Sequence, residues 1–131
     1  MINVISLPVF NDDRGKLISL EENNNIPFEI KRVYYMYDIN NKLIRGKHAH
    51  KDLEQVAVCV NGSCEILLDN GTSKERLELN SPETGLLIGS MIWREIFNFS
   101  NDCVLIVLAS QLYDESDYIR SYDEFIQIVK Q

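Results

Sequence analysis

Apolar and polar positions alternate with a period of two along most of this chain, and that period predicts short β-strands. Val33 to Ile39 is rich in β-branched and aromatic residues, as a strand requires, with Tyr35 and Tyr37 on one face and Tyr34 on the other. Gln55 to Val60 and Ser63 to Leu68 flank Asn61-Gly62, a pair that accepts the positive φ angles of a type I′ hairpin turn. A second Asn-Gly pair, Asn70-Gly71, begins another turn. Ser73 to Leu79 then alternates charged and apolar residues, so one face is wet. Gly85 to Ile92, Glu95 to Phe99 and Cys103 to Ala109 follow. Upstream, Asn3 to Phe10 and Lys16 to Leu20 are separated by the turn cluster Asn11-Asp12-Asp13-Arg14-Gly15. The period changes only at the end. Ser121 and Glu124 form a capping box, and Phe125, Ile126 and Val129 follow at helical spacing, which predicts one short C-terminal helix.

Strands with turn signals about every ten residues predict an all-β sandwich or barrel. The 131 residues suffice for one domain with its own core, so 1–131 reads as a single unit without repeats or linkers. The longest apolar run, Val104 to Ala109, is too short to span a bilayer. The N-terminus lacks the basic and cleavable features of a signal peptide, so no membrane association and a cytoplasmic setting are expected. The net charge of −7 argues against a nucleic-acid partner. It leaves room for one phosphorylated small molecule held by a few local cations, and Arg14, Arg45 and Arg94 are the candidates. Cys59 and Cys64 should face each other across the Asn61-Gly62 hairpin. With Cys103 they make an odd count without metal-ligand spacing, so half-buried free thiols are expected.

The candidate chemistry sits at His48-Ala49-His50, which holds the only two histidines of the chain. On a strand, residues two apart share a face, so both imidazoles line one surface. Such a pair suits either metal binding or proton transfer near neutral pH.

The surrounding run, Gly46 through Glu54-Gln55 to Gly62, resembles the first motif of the cupin superfamily. The spacing leaves open which of Glu54 and Gln55 faces inward. In the region of the second cupin motif, Arg94 stands where a third histidine would be. A guanidinium cannot ligate a cation and repels one, so no metal is expected.

Four longer segments narrow the resemblance. They are Asp13-Arg14-Gly15 with Glu21-Glu22-Asn23 and Ile26-Pro27-Phe28; Lys31-Arg32-Val33-Tyr34-Tyr35; Arg45-Gly46-Lys47-His48-Ala49-His50-Lys51 through Gln55 to Cys64; and Val107 to Ser110 with Tyr113-Asp114-Glu115 and Asp117-Tyr118-Ile119-Arg120. Together they resemble the sugar nucleotide 3,4-ketoisomerases, the dTDP-4-oxo-6-deoxyglucose 3,4-oxoisomerases. The resemblance implies a metal-free, cofactor-free cupin (jelly-roll) β-barrel and a homodimer with exchanged N-terminal strands. It implies a dTDP-linked 4-keto-6-deoxyhexose as substrate and a role in making a 3-amino-3,6-dideoxyhexose for a polysaccharide. It makes His48 and His50 the acid/base pair and places Arg14, Tyr34 and Arg45 around the substrate.

Moving a carbonyl from C4 to C3 requires a base at C3, an acid at C4 and charge stabilisation of the enediolate between them. His48 is the candidate C3 base and His50 the second proton carrier, an order that can be reversed. Tyr35, Tyr37 and Arg45 are candidates to stabilise the enediolate. Trp93 either stacks on the thymine or fills the core. Arg14 is placed to reach a pyrophosphate, while Arg94 and Gln55 are further candidate substrate contacts. Two other functions fit the same barrel: a nucleotide-sugar 3,5-epimerase, and a sugar-binding cupin without turnover.

Overall fold

In a computed structural model that describes all residues 1–131, twelve strands carry the fold and one helix closes it. The strands are β1 (Asn3–Ser6), β2 (Phe10–Asp12), β3 (Gly15–Leu17), β4 (Arg32–Met36), β5 (Arg45–His50), β6 (Gln55–Asn61), β7 (Cys64–Asp69), β8 (Lys74–Leu79), β9 (Thr84–Ile88), β10 (Trp93–Phe97), β11 (Val104–Ala109) and β12 (Tyr118–Ile119). The helix α1 spans Tyr122–Val129. Two five-stranded sheets form, in the orders β1-β9-β6-β11-β4 and β12-β5-β10-β7-β8, and β2-β3 is a separate hairpin. Every strand pair is antiparallel. The class is the expected all-β cupin jelly roll with a C-terminal helix. The ladders do not run continuously around it, however, so the expected barrel is a sandwich of two open sheets.

The main core fills the space between the sheets with Ala57, Cys59, Ile66, Leu68, Leu86, Ile96, Leu105 and Val107. Strands β6 and β11 are buried on both faces. Their outer sides, Val56, Val58 and Leu108, are covered by Leu7, Ile26 and Phe28 from the long N-terminal segment. This explains why β11 reads as a continuous apolar run rather than an alternation. Ser121 caps α1, its Oγ accepting from the Glu124 amide at 3.2 Å. The helix then sets a fully buried Phe125 against Ala49, Trp93 and Ile119, which fixes the back of β5.

Strand ends differ from expectation where single residues interrupt the ladder. The N-terminal strand breaks at Leu7-Pro8, because proline has no N–H to donate. β4 stops before Asp38 and β10 before Asn98, and both of these residues adopt positive φ. β9 ends at Ile88, short of the Met91 amide that bonds to the His50 carbonyl. At the β6–β7 turn only Gly62 has positive φ, so the turn is not type I′. The Asn61 side chain is used instead to donate to the Asp102 carbonyl. Cys59 and Cys64 do meet across this hairpin, but they are fully rather than half buried. Cys103, remote in sequence, joins them with its sulfur 3.7 Å from that of Cys59, and all three are free thiols.

Candidate functional site

Period-two alternation on six strands brings one set of side chains to a shared cavity of about 370 Å³. Arg32, Tyr34 and Met36 reach it from β4, Arg45, Gly46 and His48 from β5, and Gln55 and Ala57 from β6. Ile88 (β9), Arg94 and Ile96 (β10) and Val107 (β11) complete the floor, and Tyr118 and Arg120 stand at the C-terminal side. The wall holds four guanidinium groups and no carboxylate. A chain of net charge −7 thus presents a positive cavity, which draws anions and opposes cations. One imidazole on the wall, with no thiol or carboxylate beside it, is also a poor donor set for a metal ion.

A β-bulge aims the histidines. Arg94 on β10 lies opposite His48, while its neighbour Glu95 lies opposite Gly46, so Lys47 is the extra residue. Gly46 and Lys47 both have positive φ. A Cβ at Gly46 would sit 3.1 Å from the Arg94 carbonyl oxygen, so glycine meets both the conformation and the close approach.

His48 lies on the cavity wall, half-buried, with Nδ1 3.0 Å from the Gly46 carbonyl oxygen. That carbonyl only accepts, so Nδ1 carries the proton and Nε2 is left as a base. His50 is fully buried one layer behind. Its ring is 4.8 Å from that of His48 and 4.3 Å from that of Tyr118. Its Nδ1 is 3.1 Å from Asp117 Oδ2, and its Nε2 has no partner. Burial first, and the Arg94 charge second, push His48 down to about 3 and His50 down to about 4. Both imidazoles are therefore neutral at physiological pH, the state a base requires.

Arg94 is fully buried at the cavity floor without a carboxylate partner. It donates to the Ile92 carbonyl through Nε and Nη2, and to Gln55 Oε1 through Nη1 at 2.6 Å. Burial lowers it to about 10, so it stays charged at neutral pH. Gln55 in turn donates from Nε2 to the Tyr34 hydroxyl at 2.9 Å. Tyr34 is thereby an acceptor towards Gln55, and its own proton is free to point into the cavity. Burial raises the Tyr34 pKa, which keeps it protonated as a donor.

Of the residues expected from sequence, His48, Tyr34, Arg45, Gln55 and Arg94 meet at this cavity, and His50 lies behind it. Gln55, not Glu54, faces inward. The other four lie elsewhere in this chain. Tyr35 and Tyr37 are exposed on the outer side of β4 and the segment after it. Trp93 is turned to the opposite side of β10 from Arg94, packed in the core against Tyr122 and Phe125. Arg14 sits exposed at the β2–β3 turn, paired with Asp12. Trp93 therefore fills the core, and Tyr35, Tyr37 and Arg14 lie outside this cavity in the single chain.

Sequence reasoning missed Arg32, Asp117, Tyr118 and Arg120. Arg32 was findable, since it lies two residues before Tyr34 and so shares its inward face. Its Nε and Nη2 are buried without partners, while its guanidinium stacks on Tyr34 at 5.2 Å. The other three come from the chain after β11 and carry no periodic signal.

Comparison with known proteins gives the same picture. The profile of a family described as "FdtA: WxcM-like, C-terminal" matches residues 1–130. A TDP-4-oxo-6-deoxy-alpha-D-glucose-3,4-oxoisomerase of Aneurinibacillus thermoaerophilus is 54% identical over 122 residues, 93% of this chain and 88% of that protein. The crystal structure of a 3,4-ketoisomerase from Helicobacter canadensis matches with a TM-score of 0.96 at 49% identity, covering 99% of this chain and 98% of that one. The 3,4-ketoisomerase QdtA from Thermoanaerobacterium thermosaccharolyticum, solved in complex with TDP, matches with a TM-score of 0.96 at 46% identity, covering 98% and 94%. A 3'-monoepimerase from Streptomyces bikiniensis, at 15% identity and a TM-score of 0.75, shares only the fold. The full-length profile match and relatives near half identity lead to one conclusion: the chain belongs to the FdtA-like family of sugar nucleotide 3,4-ketoisomerases.

Proposed function

We propose that this protein is a 3,4-ketoisomerase acting on dTDP-4-oxo-6-deoxy-D-glucose. The observation that carries this reading is His48, a neutral imidazole with Nε2 free on the wall of a cavity that holds four guanidinium groups and no carboxylate. His48 Nε2 takes the proton from C3, which the neighbouring ketone acidifies. The C3–H electron pair becomes the C3–C4 double bond, and the C4 oxygen gains negative charge. The buried Arg94 and the cavity-facing proton of Tyr34 stabilise that charge. The hydroxyl proton passes from O3 to the C4 oxygen, and protonation at C4 then leaves the carbonyl at C3 and a hydroxyl at C4. His50 is the second proton carrier and communicates with the cavity past the His48 and Tyr118 rings. Arg45, at the mouth, and Arg32, with its unpartnered nitrogens, suit the diphosphate. The product, a 3-keto sugar, suits an aminotransferase that installs a 3-amino group for a polysaccharide. Nucleotide sugars are made in the cytoplasm, which is the proposed setting.

The working unit in this reading is a homodimer formed by exchange of N-terminal strands. Phe10 and Leu17 on the β2–β3 hairpin and Val33 and Tyr35 on β4 are each more than half exposed, more apolar surface than an isolated chain benefits from leaving wet. The same hairpin would carry Arg14 to the partner's cavity. Substituting His48 by Asn tests the catalytic assignment. Turnover should vanish while dTDP affinity stays within a few-fold, whereas full activity in that variant would remove His48 from the mechanism.

A further inference from the structure

The two histidines differ in what holds them. His48 Nδ1 meets a neutral backbone carbonyl, while His50 Nδ1 meets the carboxylate of Asp117. Asp117 lies in the 3₁₀ turn Glu115–Asp117, sixty-seven residues away in sequence, and is 6% exposed. Its Oδ1 accepts from the Asp52 amide at 3.0 Å, and its Oδ2 accepts from the Leu53 amide at 3.3 Å. Its own carbonyl accepts from the Lys51 amide. A carboxylate so placed cannot turn away from His50, because both oxygens are tied to the chain that leaves β5. It has no cationic side chain as partner unless His50 becomes one.

We propose that Asp117 is a positioning residue for the isomerase reaction: it fixes the His50 proton on Nδ1, leaves the lone pair on Nε2, and makes His50 the imidazole better able to retain a proton, while His48 holds the C3 proton only in passing. The inference rests on the proposed function for the proton's origin. The physical reason is local charge. An imidazolium at position 48 would face Arg94 with only a carbonyl to compensate. An imidazolium at position 50 faces the same guanidinium but lies against a carboxylate. The charged and titratable groups around His50 are Arg94 on β10, Arg32 on β4, His48 on β5, Tyr118 on β12 and Asp117, and Asp117 is the one that favours the protonated ring. The partnerless Nε2 is then the vacant proton site that buried polar atoms rarely leave open without a function. The same arrangement of a buried carboxylate behind a neutral imidazole sets tautomer and orientation in serine hydrolases.

The test reads the tautomer directly. With only two histidines, a long-range ¹H–¹⁵N spectrum of the ¹⁵N-labelled full chain shows two rings, and His48→Asn assigns them. At neutral pH the His50 ring should show a protonated Nδ1 and an unprotonated Nε2; a proton on Nε2 would overturn the proposal. In Asp117→Asn the amide donates to Nδ1, so the proton should move to Nε2. There kcat should fall roughly 10²–10⁴-fold with KM and dTDP affinity little changed. An unshifted tautomer, or a kcat within about twofold of wild type, contradicts it. A fall in active-site concentration alone, with normal turnover per folded molecule, contradicts it as well and leaves Asp117 merely structural. If the Asn variant fails to fold, the wild-type spectrum still decides. Failure of the proposed function shows up differently, as turnover retained in His48→Asn, with the His50 tautomer unaffected.

Discussion

Arg94 donates to Gln55 across 2.6 Å at the floor of the cavity, and neither group has a carboxylate to share. The contact does two things. It orients the Gln55 amide so that Nε2 faces Tyr34, and it leaves a positive charge buried beside both histidines. Replacing Arg94 by Met keeps the volume of the stem and removes the charge. The His48 and His50 pKa values should rise from about 3 and about 4 towards 6.5, as an NMR titration of the two rings would record. Turnover should fall with them, because the enediolate loses its buried counter-charge.

Stability should depend on pH in a defined window. The folded histidines bind protons only near pH 3 to 4, whereas unfolded histidines bind them near 6.5. Between those limits the unfolded chain holds more protons, so stability rises with pH and is lost as pH falls from 6.5 towards 3. Above 6.5 these groups add no slope. Urea unfolding from pH 7 down to pH 4 should show the loss, and the double variant His48→Asn/His50→Asn should flatten it.

The bulge at Gly46 should not tolerate a side chain. Gly46→Ala places an L-residue at φ +85 with its Cβ against the Arg94 carbonyl. The backbone conformation alone costs about 1–2 kcal/mol, and relief requires β5 to shift against β10. Activity should drop more than stability, since His48 moves with the bulge. Comparing kcat with the urea midpoint checks this.

Phe125→Ala empties a fully buried position beneath Trp93 and should cost about 3–5 kcal/mol in chemical unfolding. Because α1 packs on the back of β5, the loss should also loosen the histidine strand, seen as faster amide exchange at Ala49.

Much of this was legible in the sequence, for reasons that particular residues make plain. The period of two placed Tyr34 opposite Tyr35 and Tyr37, and it put His48 and His50 on one face. It held because each strand has two distinct sides. Ser121 and Glu124 announced the helix through local hydrogen bonding. Trp93 could not be placed, because a large aromatic on a strand fits either a cavity or a core, and only the docking of α1 decides. Asp117 lay in a segment that carried the family resemblance, but nothing in its spacing announced its role. Its function depends on a contact across sixty-seven residues that no periodicity encodes. Likewise Asn61 is a strong turn residue by propensity, yet its side chain is recruited by the Asp102 carbonyl and the expected turn type gives way.

The central claim is a carbonyl shift driven by proton transfer at C3 and C4. Incubating the protein with dTDP-4-oxo-6-deoxy-D-glucose in deuterated water and examining the product by NMR tests it most directly. The expected product carries the carbonyl at C3 and deuterium at C4. Recovery of a sugar with its carbonyl still at C4 and deuterium at C3 and C5, or with no deuterium at all, would contradict the assignment.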